Sequence, residues 1–397
     1  MAMMQDKLAH SRAPAASPLY DPKVRGVFYQ VLTIIGLVAF FYVIYSNTVD
    51  NLRRANISSG FGFLQGRAGF DLGQSLIEYS SDHSYLRALE VGFINTLLVA
   101  FVGIVLATVI GLIIGIGRLS SNWLIAKLCT VYVEIFRNIP PLLVIFFWYV
   151  GVINVLPQVR ASIELPLDVF LNNRGVFFPK PIFGEGFLFV VLAFVVAVVL
   201  SVMHMRWVSA RQMATGKRFP VLPVVLALVI ILPLIAFVLE GRPLSFDVPT
   251  AGKFNLTGGG TIGPEFMSLL LALSFYTASF IAEIVRAGIR GVAHGQSEAA
   301  HALGVRPGLT TRLIVLPQAL RIIIPPLTSQ YLNLIKNSSL AVAIGYADLV
   351  AVGGTILNQT GHSIEIVAIW MVVYVTISLL TSLFMNWFNA KMALVER

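Results

Sequence analysis

The sequence has 397 residues, 57% of them hydrophobic and only 12% charged, with a net charge of +9. Soluble domains carry about 25% charged residues, so a soluble globular fold is excluded and most of the chain belongs in lipid. No basic run interleaves with aromatics, which excludes a nucleic-acid partner and assigns the positive excess to loops on the cytoplasmic side of a membrane.

Met1 to Lys23 is polar and holds no cleavable signal peptide, so it reads as a cytoplasmic tail (1–23). A membrane-spanning helix needs about 20 apolar residues. About eight stretches qualify: Val24–Tyr45, Leu86–Gly117, Leu124–Leu156, Gly186–Met205, Val221–Leu239, Phe266–Ile289, Leu320–Ile344 and Ile364–Ala390. The fold class is therefore all-α and polytopic. Cys129, the single cysteine, lies in one of these runs and reads as a packed thiol.

Loop charges orient the spans. The tail (Lys7, Arg12, Lys23, Arg25), Arg118–Lys127, Arg206–Arg218 and Arg286–Arg321 are basic and fall on one side, which is cytoplasm, together with both termini. The opposite loops, 46–85, 157–185 and 240–264, mix signs or are rich in Gly, Pro and Asn. Their length marks lids or docking surface rather than simple turns. Trp123, Trp148, Trp207 and Trp387 lie near span ends, as interface anchors do.

Between the sixth and seventh spans, residues 291–317 form a polar, basic-side segment. Ser297 is placed to cap a short helix, with Glu298 in its first turn, where the positive helix end favours an acid. Ala299, Ala300 and Ala302 form helix with little bulk, and Gly304 ends it in the left-handed conformation. Arg306-Pro307-Gly308 reverses the chain. A second helix starts near Thr310, and Pro317 marks where it meets the next span. Two short stiff helices with a small Ala face allow close approach of another protein, and the Glu298 carboxylate suits an arginine.

The order Glu298-Ala299-Ala300, three residues, Gly304, nine residues, Ile314, one residue, Leu316-Pro317 resembles the cytoplasmic coupling loop of bacterial ABC importer permeases. Ser274–Ile289 with Gly295-Gln296, Phe136-Arg137-Asn138-Ile139-Pro140-Pro141 and Leu334-Ile335-Lys336-Asn337-Ser338-Ser339-Leu340 are similar to the polar amino-acid branch of that family, the histidine/glutamine and general L-amino-acid type. The resemblance implies a type I importer core of five spans, carried by 86–156 and 264–397. To this the chain adds 24–85, a first span with a long periplasmic loop, and 157–263, an inserted span pair whose external loops read as docking surface.

The resemblance further implies the bacterial inner membrane, a second permease subunit, two copies of an ABC ATPase, a periplasmic amino-acid-binding protein and an amino-acid substrate. The chain has no Gly-x-x-x-x-Gly-Lys-Ser/Thr phosphate loop. It is therefore expected to bind no cofactor, with ATP and Mg used by the partner ATPase. Coupling falls on Glu298, Ala299, Ala300, Gly304, Arg306, Leu316 and Pro317.

Polar groups inside spans are candidates for the substrate path. Arg137 and Asn138, beside the helix-breaking Pro140-Pro141, suit a substrate carboxylate; the alternative for Arg137 is a pair with Glu134. Glu283 either meets an ammonium group or pairs with Arg286. Lys336, Asn337, Ser338 and Ser339 either line a pore or form a seam against the partner permease. Glu90 and Asn95 read as external mouth residues or caps. No metal or nucleophile cluster stands out: Gly295 and Ser297 are expected to break any helix joining His294 to His301. An ion-coupled secondary amino-acid carrier is the alternative function, and a membrane enzyme is disfavoured.

Overall fold

The computed structural model describes residues 22–54, 60–217, 219–252 and 255–392. The basic tail ahead of Pro22, Arg218 and residues 393–397 lie outside them. Among the described residues, seven helices are long and apolar enough to cross a membrane, or eight if one bent pair counts as a single span. The helices are α1 (Pro22–Arg54), α2 (Tyr85–Gly117), α3 (Trp123–Asn138), α4 (Pro141–Phe146), α5 (Phe187–Thr215), α6 (Val221–Leu239), α7 (Pro264–Arg290), α8 (His294–Ala302), α9 (Pro307–Thr310), α10 (Leu316–Asn337), α11 (Leu349–Thr360) and α12 (Ser363–Met392).

The core is α2, α7, α10 and α12, with α3 and α4 laid on α7. Two glycines set the closest approach. A Cβ on Gly111 would stand 2.6 Å from Ile281, and one on Gly115 would stand 2.8 Å from the Ala282 carbonyl of α7. Four-residue spacing puts both glycines on one face of α2, where a missing side chain lets backbones close up in lipid. On its other side α7 meets α10, with Gly288 against Ile323. α7 is thus the most buried of the long helices.

The third expected span is two arms. Asn122 Oδ1 caps α3 by accepting the Leu124 and Ile125 amides at 3.0 and 3.3 Å. Ile139, preceding proline, is extended, and Pro141 starts α4, which continues as a π-helical turn over Phe147–Ile153. The arms bend by 111°. Gly117, at the last turn of α2, backs onto Cys129 of α3. The Tyr149 hydroxyl donates to Glu265 in the first turn of α7 at 3.3 Å. The expected count of eight therefore rests on these two arms forming one broken crossing.

α8 and α9 join α7 to α10 at one end, here the α8 end. The opposite end carries small sheets where the sequence shows only Gly/Pro/Asn-rich loops. β1 (Ile163–Leu165), β2 (Val169–Asn172), β3 (Gly175–Phe178) and β8 (Gly260–Ile262) pair antiparallel in the order β1-β2-β3-β8; β4 (Lys180–Phe183) pairs with β5 (Leu244–Asp247), and β6 (Thr250–Ala251) with β7 (Leu256–Thr257). Short runs of Ile, Val and Phe suit pleated pairing. The β3–β8 register, Val176↔Ile262, delivers the chain to the start of α7.

α5 and α6 rise from the β4–β5 pair as a hairpin packed on itself, their turn at the α8 end. Ala197, Ser201 and Val208 form the buried stripe of α5. Nothing in the apolar windows of α1 and α6 is buried, as expected of lipid-facing helices.

α11 is a helix that the hydropathy pattern does not announce. Asp348 Oδ1 caps it by accepting the Ala351 amide at 2.8 Å. Its surroundings are a buried polar tie at the strand end. Asn95 Nδ2 donates to the Gln74 and Ala347 carbonyls at 3.0 and 2.9 Å, and the Leu349 amide donates to Thr96 Oγ1 at 3.0 Å. Asn95 is fully buried well inside α2, so it is neither a mouth residue nor a cap; its amide ties the loop before α2 (Gln74) to the α10–α11 connection (Ala347). Glu90 stays at the surface, accepting from Arg87 at 2.9 Å. Burial pushes the Asp348 carboxyl up to about 7, against the pull of the amide hydrogen bonds.

Two outcomes follow for thermal unfolding of the purified protein. Gly115→Leu forces α2 off α7, with an expected cost of about 1–3 kcal/mol and a lower melting midpoint. The raised Asp348 makes the folded state hold its proton longer than the unfolded chain. Stability from this group is full below pH ~4, falls as pH rises toward 7, and is flat above, a span of up to about 4 kcal/mol. Asp348→Asn retains an oxygen to cap α11 and is expected to flatten that slope.

Candidate functional site

The segment between α7 and α10 is built to be stiff and accessible. α8 starts at His294, after an extended Ala293 with no side-chain cap. Ser297 therefore lies inside the helix rather than capping it, and Glu298 sits one turn in. Glu298 Oε1 meets His294 Nδ1 at 3.2 Å, an i,i+4 pair that supports the first turn in place of a cap. The helix runs unbroken to Ala302, so Gly295 and Ser297 do not interrupt it; His294 and His301 stand about 10 Å apart along it. No cluster of three or more metal-binding side chains occurs among the described residues.

Gly304 ends α8 with φ +74°, and its amide donates to the His301 carbonyl at 2.9 Å. A side chain there would be strained in the left-handed region. Arg306 is extended, and Pro307 opens α9. A π-helical turn over Thr311–Val315 joins α9 to α10. Pro317 explains this turn: it has no N–H to give the Leu313 carbonyl, and its ring needs the extra room. The second short helix is thus continuous with the span that begins at Leu316.

Ala300 is buried toward the molecule's own body, as is Thr310 on α9. Glu298 and Ala299 face out, Glu298 with 72% of its side chain exposed. Leu303, absent from the sequence-based set, is 83% exposed. Its signal is positional: a large apolar residue just before the helix-ending glycine, in a segment otherwise small or polar.

The path candidates divide into two places. Glu283 of α7 accepts from Arg118 at the end of α2 and from Arg286, whose Nε also lies 3.2 Å away; Arg137 at the end of α3 approaches to 4.0 Å. One carboxylate thus gathers three guanidinium groups from three helices. Arg137 also lies 5.6 Å over the Phe280 ring. Arg137 turns to Glu283 rather than Glu134, whose carbonyl accepts instead from Asn138 at 2.7 Å. Arg118 is deeply placed, and its Nε makes no hydrogen bond.

The block after α10 lies elsewhere. Lys336 is exposed in a groove with Tyr374, Ser378 and Ser382 of α12. Asn337 is half-buried. Ser338 is fully buried and donates to the Ile335 carbonyl, and Ser339 donates to the Lys336 carbonyl, both at 2.7 Å. Back-bonds of this kind compete with the backbone ladder, and the chain continues as a 3-10 turn over Ser338–Ile344.

Glu283→Gln removes the charge that three arginines share. The expected loss is about 3 kcal/mol of stability, since uncompensated cations are left within the bundle. Glu283→Asp keeps the charge and is expected to lose less than half as much, both read as shifts in thermal midpoint.

Comparison with known proteins identifies relatives of the sequence. The sequence profile of binding-protein-dependent transport system inner membrane components matches residues 217–394. The general L-amino acid transport system permease protein AapQ of Rhizobium johnstonii is 68% identical over 381 residues, covering 96% of this chain and 95% of the relative. The glutamate/glutamine/aspartate/asparagine transport system permease protein BztB of Rhodobacter capsulatus is 42% identical over 419 aligned residues, covering 96% of each. Among solved structures, an amino acid ABC transporter crystallised with histidines matches 77% of this chain and 95% of that chain at 20% identity, with a TM-score of 0.46. With full-length identity this high, the chain belongs to the permease subunits of the amino-acid ABC transporters, a multi-pass membrane family.

Proposed function

We propose that this chain forms half of an amino-acid import path across the bacterial inner membrane, with both termini and the α8 end in the cytoplasm. Its partners in this reading are a second permease, two copies of an ABC ATPase that uses ATP and Mg, and a periplasmic amino-acid-binding protein. The cargo class follows the relatives, general L-amino acids in one and acidic amino acids with their amides in the other. The observation that carries the reading is α8, a short helix fixed at both ends that presents Glu298, Ala299 and Leu303 to the outside.

Its mechanical setting supports alternating access. Displacement of α8 bears directly on α7 and on the α9–α10 helix. α7 is locked to α2 by the Gly111 and Gly115 contacts and to α3 by Glu283. These elements move as one body, so a push at α8 tilts the path rather than bending one helix. Arg137, Asn138 and Glu283 contribute a polar stretch of that path, and Lys336 to Ser339 a second one toward α12. A loaded binding protein outside biases the same two-state equilibrium.

Glu298→Ala and Leu303→Ser are the direct tests. Uptake of labelled amino acids is expected to fall at least tenfold, on the order of a 1.4 kcal/mol loss of coupling. The variant chain stays in the membrane fraction, and less ATPase co-purifies. Unchanged uptake in both variants sinks α8 as the point of ATPase coupling; the relatives already exclude an ion-driven carrier.

A further inference from the structure

The α5–α6 hairpin ends in a tip to which the proposed import path and ATPase contact assign no role. α5 has 29 residues and α6 has 19, so α5 outruns its partner by ten. At 1.5 Å per residue α6 spans about 28 Å, close to the hydrocarbon thickness of a bilayer. The last ten residues of α5, Arg206 to Thr215, therefore project past the apolar layer to headgroup depth.

Their chemistry is one-sided. Arg206, Arg211 and Lys217 are exposed, and Arg218 follows in the sequence. No Asp or Glu occurs between Glu185 and Glu240. The tip is also organised. The Arg211 guanidinium lies 5.0 Å from the Trp207 ring and 4.8 Å from the Phe219 ring, and the two rings are 5.8 Å apart. Trp207 sits at the level where aromatic belts form, and stacking holds Arg211 while leaving its N–H edge free. A fixed, planar donor set beside further cations, with no acid to answer them, is complementary to a phosphate.

We propose that this hairpin tip binds the phosphate headgroup of anionic lipids in the leaflet at the α8 end. Arg211 supplies the oriented contact, and Arg206 and Lys217 supply the surrounding charge. The apolar faces of α5 and α6 bury the acyl chains of the same lipids, so one element satisfies both halves of the ligand.

The test uses the full-length protein purified in mild detergent. Phosphatidylglycerol and, separately, phosphatidylcholine are titrated in, and retained lipid is counted by native mass spectrometry. The wild-type chain is expected to hold its tightest lipid with a clear preference for phosphatidylglycerol. Each charge removed weakens that preference about fivefold, so Arg206→Gln/Arg211→Gln/Lys217→Gln together weaken it on the order of a hundredfold. Arg211→Lys keeps the charge but loses the stacked geometry and is expected to weaken it about twofold to fivefold. Equal retention of the two lipids by the wild type overturns the proposal, as does an unchanged preference in the triple variant. An unchanged lipid preference with loss of a co-purifying protein overturns it in favour of an acidic protein partner. If the triple variant fails to insert, Arg211→Gln and Lys217→Gln decide singly, each by the same fivefold criterion.

Discussion

Everything in this molecule hangs on how closely α7 can approach its neighbours. In lipid, apolar side chains gain nothing by leaving one hydrocarbon for another, so helices associate where small residues let atoms come into dense contact. Gly111 and Gly115 supply that on one side of α7, and Gly288 supplies it on the other. The Glu283 cluster adds a polar clamp across the same helix. α7 is consequently the stiff centre of the packed bundle. α1 buries nothing in its apolar window, and the α5–α6 hairpin packs on itself; both stay outside the core.

Much of this was legible beforehand, for identifiable reasons. Long apolar runs located the spans because twenty residues without charge have few other homes. Gly304 was legible because only glycine enters the left-handed region without strain, and its φ is +74°. The Glu283–Arg286 pair was one of two readings open at three-residue spacing, and the helix geometry realises it.

The rest depended on tertiary context. Ser297 has the side chain of a cap, yet α8 begins earlier because His294 and Glu298 support its first turn. α11 was invisible because it carries glycines and polar residues amid its apolar ones, and its cap, Asp348, acquires meaning only beside Asn95 and Thr96. Pro140-Pro141 announced a break, but not a 111° bend or that Arg137 would turn to a carboxylate on another helix. Leu303 is marked in the sequence only by its place before Gly304, and its exposure is what gives that place meaning.

The three-residue β3–β8 ladder carries one more implication. Residues 157–263 leave the core after the Phe147–Ile153 turn and return at Pro264, and Tyr149 and Glu265 are hydrogen-bonded to each other at that exit and entrance. A segment whose two ends are neighbours interrupts no core packing, because the helices on either side are already in register without it. The hairpin and its sheets thus leave and rejoin the core at one seam. A change in the length or surface chemistry of that part is expected to leave the close packing of α2 on α7 in place.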